Sequence, residues 1–241
     1  MTGYFDMHCH ILPGVDDGSK SLEISMAMLD RHYRDGVRGI ILTPHYRETM
    51  FEAPGEVIRE QFERLQKEAA QLYQDLQLYL GCEFHSNMSL AELVEQDDRF
   101  RMAGSDYLLL EFSSRHSASD IRERTYETLN CGLTPIIAHV ERYDPILGNL
   151  DFADELIHMG ARLQVNADSI IGLDGRQVKK FCKKLMKYDM LSFVGSDAHD
   201  LNDRASHLGE CVRYVEKKMG TEYAEELFIR NPSRIIENEP L

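Results

Sequence analysis

Seven short apolar runs alternate along the chain with stretches whose apolar residues recur three or four apart, and this alternation limits the fold more than any other feature. Tyr4 to His10 reads as a strand. Leu22, Met26, Leu29 and Tyr33 then follow helical spacing up to Gly36, which suits a C-cap. Val37 to Thr43 reads as a second strand, Ile58, Phe62, Leu65, Ala69 and Leu72 mark a long helix, and Gln77 to Glu83 is a third strand. Tyr107 to Phe112, Thr134 to His139, Arg162 to Asn166 and Leu191 to Ser196 supply the other four. Val178, Phe181, Leu185 and Tyr188 predict one further helix, Leu208, Val212, Val215 and Met219 another that closes at Gly220, and Glu222 to Arg230 a short last one. Repeated βα units with apolar strands require a parallel sheet wrapped by helices. A chain of 241 residues suits one α/β core, so a single domain over 1–241 is expected. Seven strands fit a closed or distorted barrel better than the alternative, an open doubly wound sheet. The irregular stretch RETMFEAPGE, Arg47 to Glu56, follows a strand end and is a candidate lid.

In a parallel barrel the C-terminal strand ends converge on one face, where sites are built. Here those ends carry His8 and His10, His45, Glu83, Glu111, His139, and finally Asp197 with His199, while Asp17 lies in the loop after the first strand. His8 and His10, two apart on a strand, share a face from which Cys9 points away. GSDAH repeats that spacing with Asp197 and His199. Each residue alone has a plainer reading: a solvated carboxylate for Glu83 or Glu111, a turn residue for His45, a hydrogen-bonded core histidine for His139. That reading does not explain Glu111 at the end of YLLLEF or His139 after PIIA, since ionisable groups joined to buried runs are costly without partners. Together the histidines and the carboxylates exceed the ligand set of one zinc ion, so a centre of two or three divalent ions is expected. Mixed His and carboxylate ligands suit Mn, Fe or Zn.

A formal net charge of −14 opposes nonspecific binding to nucleic acid or anionic membranes. With neither an apolar run of spanning length nor a basic-then-apolar N-terminus, the expected location is the cytoplasm, without membrane insertion. The five cysteines, Cys9, Cys82, Cys131, Cys182 and Cys211, contain no CxxC pair and are expected to be reduced. None is followed at the sixth position by the arginine that a phosphate-cradling cysteine loop requires. A cluster of divalent ions would nevertheless leave the mouth positive. Arg142, three after His139, and Arg204, five after His199, stand beside it, where a guanidinium fork fits phosphate. Phosphomonoester hydrolysis follows as the expected reaction, by in-line attack of a metal-bound hydroxide on phosphorus. With no obvious general acid in the sequence, an aryl phosphate is favoured, because a phenol of pKa about 10 departs with little assistance. Tyr46, Met50, Phe51 and Tyr143 are candidates to hold its ring, with core packing as the plainer alternative.

The segments MHCHILPGVDDGSKS, TPHY followed by MFEAP, GCEFH, LLEFS, IAHVERY and VGSDAH together resemble the PHP (polymerase and histidinol phosphatase) superfamily. The likeness is greatest to its bacterial protein-tyrosine phosphatases of the CpsB/YwqE type, which are associated with capsule and exopolysaccharide synthesis. It implies a distorted (β/α)7 TIM-like barrel with a three-metal, often manganese-dependent centre. The implied ligands are His8, His10, Asp17, His45, Glu83, Glu111, His139, Asp197 and His199, with Arg142 and Arg204 holding and stabilising the phosphate. The implied substrate is phosphotyrosine on the tyrosine-rich tail of a kinase that controls polysaccharide chain length. A small-molecule phosphatase of the histidinol phosphate kind is the enzymatic alternative, and a metal-binding docking scaffold the non-enzymatic one. A nuclease fits poorly with the acidic charge.

Overall fold

The computed structural model describes residues 3–86 and 90–241. Strands β1 (Tyr4–Cys9), β2 (Val37–Leu42) and β4 (Gln77–Leu80) form a three-stranded parallel sheet in the order β1-β2-β4. Strands β3 (His45–Tyr46), β5 (Glu83–His85), β6 (Tyr107–Glu111), β7 (Thr134–Ile137), β8 (Arg162–Asn166) and β9 (Phe193–Gly195) form a curled parallel sheet of six, paired in that order. A parallel bridge joins Cys9 to Ala198, just beyond β9, and the His10 amide donates to the Ala198 carbonyl at 2.9 Å. The result is a mixed α/β fold whose strands are apolar along most of their length, as strands covered on both faces must be.

The connecting helices are α1 (Leu22–Arg34), α2 (Gly55–Leu72), α3 (Leu90–Gln96), α4 (Ala118–Asn130), α5 (Leu150–Met159), α6 (Ala167–Ile171), α7 (Arg176–Lys187), α8 (Leu208–Met219), α9 (Thr221–Glu225) and α10 (Asn231–Glu237). Local chemistry starts and stops several of them. The Ser21 side chain accepts from the Ile24 amide at the start of α1, and Ser117 with Asp120 forms a capping box at α4. Gly160, at φ 113°, closes α5 in the left-handed conformation that favours glycine. No helix among the described residues is long and apolar enough to cross a membrane.

One expected strand is followed by an additional short segment and another is interrupted. The run from Val37 ends at Leu42, and β3 begins afresh after Pro44, which has no N–H for the ladder. The run from Gln77 breaks at Gly81, where an added Cβ would lie 2.9 Å from Met102 Sδ and 3.0 Å from Ile41 Cγ2. The run from Thr134 also stops early: β7 ends at Ile137, and His139 turns left-handed at φ 33° into a single 3-10 turn, Val140–Arg142. The final short helix is α9 followed by a π turn over Glu226–Arg230, leading into α10. In each interrupted case the break falls just ahead of a candidate ligand.

Candidate metal centre

The strand ends bring the candidates together, and Glu83 stands among them. Its buried Oε2 lies 3.2 Å from His8 Nε2, 3.1 Å from His10 Nε2 and 3.0 Å from His45 Nδ1, while Oε1 meets His139 Nε2 at 2.7 Å. Asp197 Oδ1 is 3.7 Å from His8 Nε2 and 3.5 Å from His10 Nε2. Asp17 Oδ1 is 3.5 Å from both His45 Nε2 and His199 Nε2, and Glu111 Oε2 is 3.9 Å from His45 Nδ1. Three overlapping groups each have donor atoms within 4.8 Å of one another: His10, Asp17, His45 and His199; His8, His10, Glu83 and Asp197; His45, Glu83 and Glu111.

These residues suit metal ions better than they suit one another. Among the described residues, His45 Nδ1, Glu83 Oε2, Glu111 Oε2 and His199 Nε2 are buried without a well-aligned hydrogen bond, although Glu83 Oε2 and His45 Nδ1 stand 3.0 Å apart. Buried polar atoms are nearly always satisfied, so four orphans at one point call for a cation. His139 is the one of the nine candidates outside these three groups: its Nε2 is engaged by Glu83 and its Nδ1 by the Tyr143 hydroxyl at 3.0 Å. Both His139 and Asp197, at φ 54°, hold left-handed backbone that only glycine adopts without cost, a strain of order 1–3 kcal/mol each that concentrates at functional positions.

Charge at the centre is polarised. Burial pushes the Glu83 carboxyl up, but His8, His45, His10 and His139 outweigh it and hold the group well below the usual carboxylate range. Asp197 is likewise held well below that range despite its burial, by His10, His8 and Arg142. Glu111 goes the other way, to about 7, because burial and the neighbouring Glu83 charge both disfavour its ionised form. A divalent ion would remove that penalty.

The sequence reading missed the shell behind the ligands. The Asp16 carboxylate, absent from the expected site residues, is buried and accepts from His10 Nδ1 at 2.8 Å, the Gly18 amide at 2.9 Å and the His45 amide at 3.0 Å. It thereby leaves His10 only Nε2 for a metal. Gly18 must approach closely for this, since an added Cβ would stand 2.1 Å from the His10 carbonyl oxygen. Gln164 Oε1 accepts from the His139 amide at 2.7 Å and faces His8 Nδ1 at 3.2 Å, while its Nε2 donates to Asn166 Oδ1, whose own Nδ2 donates to Asp197. Asp6 receives the Ser196 amide at 2.9 Å and the Ser196 hydroxyl at 2.5 Å, fastening β1 to the end of β9. Glu141, buried beside Arg142, accepts from the Asn166 amide and the Ser169 hydroxyl. A supporting carboxylate or amide for each ligating histidine is expected in general, but no sequence spacing says which residue supplies it.

A cavity of about 250 Å³ opens over the cluster, lined by Asp17, His45, Glu83, Glu111, His139 and Asp197, by Arg47, Arg142 and Arg204, and by Met50 and Phe51. Arg142 Nη1 meets Asp197 Oδ2 at 2.7 Å, and Arg204 reaches Asp197 at 3.3 Å and Asp17 at 3.6 Å. The expected arginines therefore do stand at the mouth. The loop expected as a lid is a tight turn: the Phe51 amide donates to the Arg47 carbonyl at 2.8 Å and the Arg47 amide to the Phe51 carbonyl at 2.9 Å. The Phe51 ring stacks on His45 at 5.2 Å, and Met50 is 59% exposed. Of the four aromatic-site candidates, Met50 and Phe51 line the cavity, whereas Tyr46 packs on Phe84 and Phe100 and Tyr143 is buried behind His139.

A family model described as "Capsular polysaccharide synthesis, CpsB/CapC" matches residues 4–237. The chain belongs to the CpsB/CapC family. It is 36% identical over 236 residues to the tyrosine-protein phosphatase CpsB of Streptococcus pneumoniae, covering 96% of this chain and 97% of that protein. It is 31% identical over 219 residues to the tyrosine-protein phosphatase YwqE of Bacillus subtilis, covering 90% and 85%. A crystal structure from work on YwqE and CpsB, described as unique metal-dependent tyrosine phosphatases, superposes with a TM-score of 0.90 at 29% identity, over 98% of this chain and 96% of that one. The phosphotriesterase of Mycobacterium tuberculosis, at 12% identity and a TM-score of 0.63, shares the fold alone. Family membership agrees with the resemblance read from the sequence motifs.

Proposed function

We propose that this CpsB/CapC-family chain is a metal-dependent protein-tyrosine phosphatase, acting on the tyrosine-rich tail of a kinase that governs capsular or exopolysaccharide synthesis. What carries the reading is the meeting of Arg142 and Arg204 with the carboxylates of the ligand cluster inside one small cavity. Its volume, about 250 Å³, lies below the roughly 300–1,000 Å³ of pockets that enclose a whole small ligand. It suits the end of a side chain whose remainder stays outside, as phosphotyrosine on a protein does.

His8, His10, Asp17, His45, Glu83, Glu111, Asp197 and His199 would hold two or three divalent ions, Mn first with Fe or Zn as alternatives, and His139 joins the set beside Glu83. When bound, such ions supply Lewis-acid charge neutralisation and lower the pKa of water towards the neutral range. The protein supplies the rest. Arg142 and Arg204 bind and orient the phosphoryl oxygens through their paired N–H donors and balance charge on them as the ester bond breaks. Asp197 and Glu141 outweigh the partial desolvation of Arg142 and keep its guanidinium charged. Met50 and the Phe51–His45 stack give the aryl group an apolar approach, and a phenolate needs little protonation to leave.

We further read the fold as a distorted (β/α)7 barrel in one domain. β2 with β3, and β4 with β5, are each one interrupted strand, which reduces nine segments to seven, and the His10–Ala198 hydrogen bond links first to last. Hydrolysis of a phosphotyrosine peptide and of histidinol phosphate by metal-free, Mn²⁺-loaded and chelator-treated protein tests the functional reading. The expected result is metal-dependent activity that favours the peptide. A preference for histidinol phosphate would move the assignment to the small-molecule phosphatase, and metal-loaded protein inert towards every phosphomonoester would leave the docking scaffold.

A further inference from the structure

Arg142 and Arg204 are tied to Asp197 and Asp17, but the third arginine of the cavity wall is not tied to anything: among the described residues, the Arg47 side chain has no hydrogen bond and no ion pair. It is half-buried, in a chain with 41 acidic residues to 27 basic ones. Its position is fixed by the two backbone hydrogen bonds to Phe51, so the guanidinium is presented by a rigid turn rather than a loose loop.

Arg47 also has a neighbour of suitable chemistry. β3 pairs with β5 in the register His45 to Glu83 and Tyr46 to Phe84, so Arg47 and His85 stand two residues beyond the ligands His45 and Glu83, in a row above them on the same face. His85 Nε2 is buried with no hydrogen-bond partner among the described residues. The His116 ring centroid lies 6.1 Å from that of His85, and His116 Nδ1 accepts from the Ser113 amide, which leaves its Nε2 to carry the proton and donate. These groups rise from β3, β5 and the loop after β6. Arg142 and Arg204 come from beyond β7 and β9, at the other side of the same six-stranded sheet. Arg47 is thus a cationic group of the cavity wall carried by a different strand end from those of Arg142 and Arg204.

We propose that Arg47, backed by His85, forms a second anion subsite that takes an acidic group flanking the phosphotyrosine of the substrate. The inference rests on the phosphatase reading and sharpens it: the enzyme selects phosphotyrosine in an acidic context, the neighbouring anion being an Asp or Glu carboxylate or a second phosphotyrosine. Arg47 is a specificity-determining residue in this scheme. It contacts the substrate away from the ester bond, so its effect appears in KM more than in kcat.

The test is a set of matched peptides, each with one phosphotyrosine flanked by Gly, by Glu, by a second phosphotyrosine or by Lys, assayed with Mn²⁺-loaded enzyme. One charge-assisted pairing at a partly buried site predicts roughly a tenfold higher kcat/KM for acidic over Gly-flanked peptide, diminishing as salt is raised. Arg47→Ala is expected to reduce that ratio below about twofold, Arg47→Lys to keep part of it, and Arg47→Glu to shift the preference to the Lys-flanked peptide. The Glu and second-phosphotyrosine peptides separate the two sources of the anion. Equal rates on all peptides, or an acidic preference that survives Arg47→Ala and Arg47→Glu, would overturn the subsite while leaving the phosphatase reading in place. Absence of metal-dependent hydrolysis for every peptide would sink both.

Discussion

Replacing Asp16 with Asn tests the supporting shell without touching a candidate ligand. The aspartate Oδ2 accepts from both His10 Nδ1 and the His45 amide, and Oδ1 accepts from the Gly18 amide. Both oxygens therefore face N–H donors. Asn at this place must turn its NH2 towards one of those sides, and the less costly choice gives up the Gly18 bond and keeps the other two. The remaining acceptor is neutral, so the hydrogen bond to His10 loses its charge assistance. Asp16 is held well below the usual carboxylate range, since His10 and the amides of His45 and Gly18 outweigh its burial, so the native partner is always ionised near neutral pH. Losing a charge-assisted bond in a buried position costs about 1.5–3 kcal/mol, which for a chain of this size lowers Tm by roughly 3 to 12 °C. Weaker orientation of His10 should also raise the Kd for metal by about 10- to 100-fold. Competition against a fluorescent chelator measures the second effect, and circular-dichroism melts in the presence of chelator measure the first. A folded Asp16→Asn protein with native Mn²⁺ affinity would refute the assignment of Asp16 as the group that orients His10.

Tyr143→Phe should act similarly from the other side, lowering metal affinity about tenfold and destabilising the fold by roughly 1–3 kcal/mol, because the Phe112 amide loses its acceptor; an unchanged melt would contradict this. Arg142→Ala is expected to cut kcat/KM on phosphotyrosine peptide by about 10²- to 10³-fold with metal content unaltered, and metal loss in parallel would instead assign Arg142 to the centre's structure. Cys9→Ser should leave the kinetics near normal and iodoacetamide should not inactivate the native enzyme, since burial pushes the Cys9 thiol well above its ordinary value; rapid inactivation traced to Cys9 would disprove it. Metal binding should release protons and strengthen as pH rises through neutrality: burial disfavours the protonated forms of His8 and His10, yet Glu83 raises His8 and Asp16 raises His10. Titration calorimetry in buffers of different ionisation enthalpy reads the proton count, and a value of zero would contradict the scheme.

The candidate ligands other than Asp17 were legible in the sequence because they lie at the ends of apolar runs, and the parallel order of those runs brings their ends together. His8, Glu83 and Asp197 needed only that logic. What lay outside it depends on how the chain leaves the strands. Asp16 and Asp17 are chemically identical neighbours, and only the turn held by the Gly14–Ser19 and Ser19–His10 backbone hydrogen bonds turns one towards His10 Nδ1 and the other towards the mouth. The break at Gly81 fell inside the expected run from Gln77 to Glu83, and β3 lay beyond the expected run from Val37 to Thr43 because two residues are too few to show a periodicity. Tyr143 read as a candidate for holding the substrate ring because proximity along the chain does not say which side of His139 it occupies; burial puts it behind. Arg47 stood out only as the first residue of the candidate lid, since its lack of a side-chain partner among the described residues exists only relative to its neighbours in space.

The turn that carries Asp16 and Asp17 has a consequence for how such a chain can drift over generations. Deleting one residue between His10 and Asp16 would put Asp17 in the buttress place and inserting one would put Asp16 in the outer place, each leaving the other place without its carboxylate, so loop length here is under stricter constraint than residue identity at most positions around it. The Arg47–Phe51 turn is closed on itself by its own backbone and can be lengthened beyond its tip without moving either end. Relatives that change their protein targets should therefore vary in length at the second loop and keep the first at a constant count, whatever else diverges.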